Sequence, residues 1–120
     1  MIYKLPCYMY IGKKRISLNL NWYRNAHHQT LSRAKREFAP ISGEWFQAKK
    51  IRIKYTLYLG TNRRTDGMNW IAVVDKFFAD WLVNNGRIPD DDWKHYTGGT
   101  WDVVREGKET YVQAEISIVQ

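Results

Sequence analysis

The chain has 120 residues, 44% of them hydrophobic and 15% aromatic. That is one domain's worth of sequence with enough apolar surface to offset chain entropy, which excludes intrinsic disorder. The formal charge of +7 is unevenly spread: residues 1–65 hold 14 Lys and Arg against Glu37 and Glu44, a balance of +12, whereas residues 66–120 hold 5 against 10 Asp and Glu, a balance of −5. Such asymmetry predicts a basic surface for a polyanion, DNA or RNA, beside an acidic site, although solubility alone also accounts for the cations.

In chain order, residues 8–20 read as two short strands around a turn at Gly12, Lys13 and Lys14, with Ile16, Leu18 and Leu20 alternating against Ser17 and Asn19. Residues 26–38 place Leu31, Ala34 and Phe38 at helical spacing among Arg33, Lys35 and Arg36, a basic amphipathic helix that Pro40 ends. Residues 48–60 are the clearest strand: Ile51, Ile53, Tyr55, Leu57 and Leu59 alternate with Lys50, Arg52, Lys54, Thr56 and Tyr58. The three cations form a solvated edge or a row of phosphate contacts.

Residues 61–65 read as a basic loop with Arg63 and Arg64, followed by Asp66, which is expected to cap the next helix. On that helix, from Met68 to about Asn85, the residues Trp70, Val73, Val74, Phe77, Trp81 and Leu82 form an apolar stripe. At 100° per residue Asn69, Lys76 and Asp80 fall within about 20° of one line at its margin. They are either surface residues with a Lys76–Asp80 pair or a lysine aimed at an acidic pocket. Asn85 and Gly86 end the helix, and Pro89 leads to Asp90, Asp91 and Asp92. Residues 100–105 and 110–119 read as a closing hairpin. The order β-β-α-β-α-β-β predicts a single α+β domain, a mixed sheet with two main helices covering one side.

The acids are the chemically suggestive feature. Aspartates converging from a helix start and from a loop suit Mg²⁺, a hard cation that takes oxygen ligands, while an Asp-Asp-Asp run after proline is also an ordinary exposed turn. Asp102 and Glu115 are spare acids on the final strands. The motifs of nucleotide cofactors and of zinc are missing, and adjacent His27 and His28, if both helical, point about 100° apart and share no metal. Cys7 is the single cysteine, so an intrachain disulfide is excluded, which fits a reducing cytoplasm. No run of about 18 apolar residues or secretory h-region is present, and the expectation is a cytoplasmic protein away from membranes. Trp22, Trp45 and Trp93 also allow a plain single-strand binder that stacks bases.

Asp66-Gly67-Met68-Asn69, the run from Lys76 to Val83, then Gly86, Ile88 and Asp90-Asp91 resemble the core of the RusA-type Holliday junction resolvases, phage versions especially. Residues 21–25 with His27, and the strand at residues 112–118, are also similar to that family. The resemblance implies a homodimeric, Mg²⁺-dependent endonuclease (Mn²⁺ being a substitute) that cuts four-way DNA junctions in a bacterial or phage setting. It implies Asp66, Asp90 and Asp91 as metal ligands and, with Lys76 near the scissile phosphate, as the catalytic set. The basic half supplies the candidate DNA contacts Arg24, His27, Lys35, Lys50, Arg52, Lys54, Arg63 and Arg64, and Asn69 and Asp80 are expected in structural roles. The family motif is Asp-x-Asp-Asn; here its second acid is Met68, whose thioether is a poor Mg²⁺ ligand. Asp92, Asp80 or another acid then replaces it, or the site runs on fewer protein oxygens and more water, or the chain binds junctions without cutting them well.

Overall fold

In the computed structural model, which describes residues 1–60, 67–97, 99–105 and 108–120, the chain runs β1 (Ile2–Pro6), β2 (Tyr8–Ile11), β3 (Lys14–Ser17), α1 (Leu20–Asn25), α2 (His28–Glu37), β4 (Ser42–Gly43), β5 (Ile51–Leu59), α3 (Gly67–Asn84), β6 (Tyr96–Thr97), β7 (Trp101–Arg105) and β8 (Tyr111–Ile118). The expected α+β architecture with a mixed sheet is present. It is organised on β5, where Ile51, Ile53, Tyr55, Leu57 and Leu59 are buried and Arg52 and Lys54 face solvent. One edge of β5 pairs antiparallel with β8, which pairs with β1, and β1 with β4. The other edge takes β6 and β7, both parallel. The hairpin expected near residues 8–20 is the separate β2–β3 ribbon, with Gly12 at φ 62° in its turn.

Four differences from the sequence reading have physical causes. The closing hairpin does not form: β7 and β8 lie on opposite edges of β5, so that Leu57 has Val103 on one side and Val112 on the other. With α3 in between, the chain returns parallel to β5, and β8 gains two partners where a hairpin would give it one. β1 went unread because its partners are distant in sequence, Leu5 lying opposite Val112. The short α1 is set by a local cap, the Asn19 side chain accepting the Trp22 N–H at 2.9 Å. β4 and β6, of two residues each, exist only through pairing with β1 and β5.

α3 is buried more widely than one stripe requires, because it is packed on two sides. Phe77 meets Trp22 of α1 and Phe38 after α2, while its neighbour Phe78 meets Tyr3 of β1 and Trp81. Ile71, Phe78 and Ala79 are therefore buried along with Trp70, Val73, Val74 and Leu82. The helix ends as its sequence predicts. Gly86 adopts φ 70°, its N–H bonds the Val83 carbonyl at 3.1 Å, and the Arg87 N–H bonds the Leu82 carbonyl at 2.8 Å, a Schellman closure. No described helix is long and apolar enough to cross a membrane.

Between β6 and β7 the chain presses Gly99 onto β5. A Cβ at that position would stand 1.3 Å from the Ile53 carbonyl oxygen. Gly99→Ala is expected to lower unfolding stability by about 3 kcal/mol through forced displacement of this edge, measured by urea denaturation. An unchanged midpoint would contradict the close approach.

Candidate functional site

α3 leaves only its margins for polar side chains, and they face in two directions. At 1.5 Å per residue, Met68 and Asp80 stand about 18 Å apart along its axis. The acids and cations singled out in the sequence fall into separate groups along that length.

The C-terminal end holds Asp80 with Asp90 and Asp91. Partial burial, a side-chain hydrogen bond with Asp90 and the nearby charges of Asp80 and Asp90 push the Asp91 carboxyl above its ordinary value, against a smaller lowering by a backbone N–H. The Asp90 Oδ1 also accepts the Asp91 N–H at 2.7 Å. Asp80 does not pair with Lys76. Its partner is Lys35 of α2 at 3.9 Å, and the Lys76 ammonium lies 5.8 Å from the centre of the Tyr23 ring on α1. The pair expected along one helix is thus replaced by a contact between helices, since α2 crosses this margin. Asp92 turns away from the group. Its carboxylate binds the His95 ring at 2.6 Å and accepts the Lys94 N–H at 3.1 Å, and the His95 bond holds its pKa below the usual range. It shapes the turn into β6.

The first half of α3 carries a second group that the sequence reading did not single out. Tyr55 of β5 donates to the Asp75 Oδ1 at 2.5 Å, and Tyr96 of β6 donates to the same oxygen. These groups floor a cleft of about 380 Å³ rimmed by Met68, Lys76, Thr100 and Trp101. Burial, with the charge of and hydrogen bond to Asp75, raises both tyrosine pKa values well above the ordinary one, so both hydroxyls remain donors at neutral pH. The signal was present in the sequence: Asp75 sits four residues after Ile71 and four before Ala79, both buried, so a helix that buries them turns Asp75 inward.

The candidate DNA contacts do not form one surface. Arg24 in α1 and Lys35 in α2 lie on the helical side, where His27 is the N-cap of α2, its Nδ1 accepting the Gln29 N–H at 3.2 Å. Because His27 precedes the helix, its ring does not diverge from that of His28; the two lie with centroids 4.4 Å apart, tilted by 31°. Arg52 and Lys54 point from the opposite face of the sheet, Lys54 across from Glu115, and Lys50 is half-buried just before β5. Asn69 is half-buried in the first turn of α3. Arg63, Arg64 and Asp66 lie outside the described residues. Among the described residues no three acidic, His or Cys side chains lie together in a way that could hold a metal. Trp45 and Trp93 are exposed and Trp22 half-buried, each near a different element.

Tyr96→Phe removes one of two hydroxyls from Asp75 and is expected to lower stability by about 1–2 kcal/mol. Tyr96→Phe combined with Tyr55→Phe should cost more than the two changes separately, because the last donor to a partly buried carboxylate is then gone. Chemical denaturation of the single and double variants checks this, and strict additivity would contradict it. No family profile, curated protein or solved structure matches the chain.

Proposed function

We propose that the chain is an endodeoxyribonuclease of branched DNA, four-way junctions above all, working as a homodimer with Mg²⁺ or Mn²⁺ in the cytoplasm of a bacterial cell or for its phage. What supports this reading is the adjacent pair Asp90 and Asp91, close enough to Asp80 for its charge to act on Asp91, with Asp80 itself beside Lys35 of the basic helix α2 and one turn from Lys76. Lys76 has no carboxylate partner among the described residues, which leaves its ammonium for a backbone phosphate. Clustered carboxylates repel one another, and a divalent cation relieves that repulsion. The described residues by themselves do not complete a cation cage; Asp66 is the acid that the resemblance adds. Whatever the ion, Lys76 would neutralise phosphate charge and the cations of α1 and α2 would hold the flanking strand.

A second reading, junction binding without cutting, is favoured by Met68. The residue is 40% exposed at the rim of the Asp75 cleft, where the family motif would put a carboxylate.

A labelled four-way junction incubated with the wild-type chain and Mg²⁺ should yield nicked duplexes. Asp91→Asn should lower the rate by about a hundredfold or more, the scale of losing a principal charge-stabilising group, with junction affinity retained. The raised pKa of Asp91 means that its ionised form is disfavoured by the fold, so its contribution to stability is greatest at acid pH and falls as pH rises through the carboxylate range. At neutral pH the variant should therefore melt no lower than wild type, and lost cleavage would not be lost folding. A wild type that binds junctions but never nicks them with Mg²⁺ or Mn²⁺ would remove the nuclease reading. Cleavage created in such a chain by Met68→Asp would then support the binding-only one.

A further inference from the structure

The first 36 residues contain eight Lys and Arg and no Asp or Glu; the first acid of the chain is Glu37. The fold gathers part of this charge around a cleft of about 540 Å³ between the β2–β3 hairpin and the junction of α1 with α2. Lys14 and Arg15 line it from the hairpin, and Trp22, His27 and Thr30 from the helical side; among the described residues no carboxylate lines it. Neither Lys14 nor Arg15 has a carboxylate partner among the described residues. The Arg15 guanidinium carbon lies 3.8 Å from the centre of the Tyr8 ring, a cation–π contact that holds the side chain over the hairpin at the margin of the cleft. The His27 Nδ1 accepts a backbone N–H, so the neutral ring carries its proton on Nε2 and is a donor there.

We infer that this cleft is a subsite for a backbone phosphodiester of DNA, held by Lys14 and Arg15 with His27 and the Thr30 hydroxyl. The inference rests on the DNA-binding half of the function proposed above and not on cleavage. Ammonium, guanidinium, imidazole N–H and hydroxyl are all donors, and two cations without an ion-pair partner among the described residues favour an anion over a base edge or an apolar ligand. A phosphate contact carries no sequence information, so the subsite fixes the register of the duplex, while its affinity depends on salt through counterion release. Lys14 and Arg15 stand outside the resemblance to the resolvases, and they extend the helical-side surface of Arg24 and His27 away from the sheet-face cations Arg52 and Lys54.

The test titrates the full chain and a double variant, K14A with R15A, with two duplexes of unrelated sequence over a series of salt concentrations. The variant should lose affinity by the same factor on both sequences, and its slope of log affinity against log salt should be shallower by about 2. Both side chains are exposed, so a thermal melt should show the fold intact. In parallel, inorganic phosphate added to the isotope-labelled wild-type chain should shift the amide resonances of residues 14–17 and 26–30, a readout that needs no variant. An unchanged salt slope, a loss confined to one sequence, or phosphate-induced shifts only elsewhere would overturn the subsite. Inorganic phosphate that binds there while the variant keeps wild-type DNA affinity would make it a free-anion site and overturn the DNA assignment. A wild type that binds duplex through these residues yet never nicks a junction would remove the nuclease reading and leave the subsite standing.

Discussion

Burial of α3 between the sheet and the two small helices is the constraint on which the rest of the molecule depends. Phe77 and Phe78 are adjacent in sequence and so point about 100° apart on a helix, one toward Trp22 and Phe38 and the other toward Tyr3. A helix used on both sides in this way has little circumference left. Its polar residues are confined to two margins, with Asp75 turned to β5 and β6 and Lys76 with Asp80 turned to α1 and α2. Losing either phenylalanine would do more than open a cavity, since it would release the element that fixes both groups of acids. Truncation of a buried phenylalanine costs about 3–5 kcal/mol in general, a large share of the stability of a domain this size.

The electrostatic arrangement follows from the same packing. Cations of the N-terminal half end up on both sides of the sheet: α1, α2 and the β2–β3 hairpin hold one set, and the outward face of β5 holds the other. Five of the aspartates, Asp75, Asp80, Asp90, Asp91 and Asp92, lie on α3 or just beyond its exit. Asp75 is satisfied by two tyrosine hydroxyls and Asp92 by His95, whereas Asp91 stands beside the like charges of Asp80 and Asp90, which raise its pKa. That contrast separates acids serving the fold from acids still able to take a cationic ligand. Asp80 stands between the two classes, its contact with Lys35 being long and exposed to solvent, of a kind worth little in stability.

Much of the scaffold was legible in the sequence because its signals are local. The period-two alternation of β5, the apolar spacing of α3 and the Gly86 closure each needed only a short window, and each is found where the residues put it. What was illegible depends on partners far along the chain. The pairing of Leu5 with Val112, the parallel return of β7 and the two-residue strands β4 and β6 are set by sheet registry, which no local pattern encodes. The sites divide likewise. The Asp90-Asp91 turn announces itself by composition, whereas the Tyr55–Asp75–Tyr96 group joins three elements, and its only local trace is an acid spaced four residues from buried Ile71 and Ala79. The expected Lys76–Asp80 pair failed for a related reason, since spacing on one helix cannot foresee Lys35 arriving from another.

The central claim is that Asp90 and Asp91, at the exit of α3, belong to a cation site of a DNA-processing protein. Anomalous scattering from crystals of the full chain soaked in Mn²⁺ tests it most directly, because the ion marks its own ligands whether or not any substrate is cut. The account predicts a peak about 2.1–2.3 Å from a carboxylate oxygen of Asp90 or Asp91. Crystals in which Mn²⁺ binds only elsewhere, or leaves both carboxylates bare at saturating concentration, would contradict it.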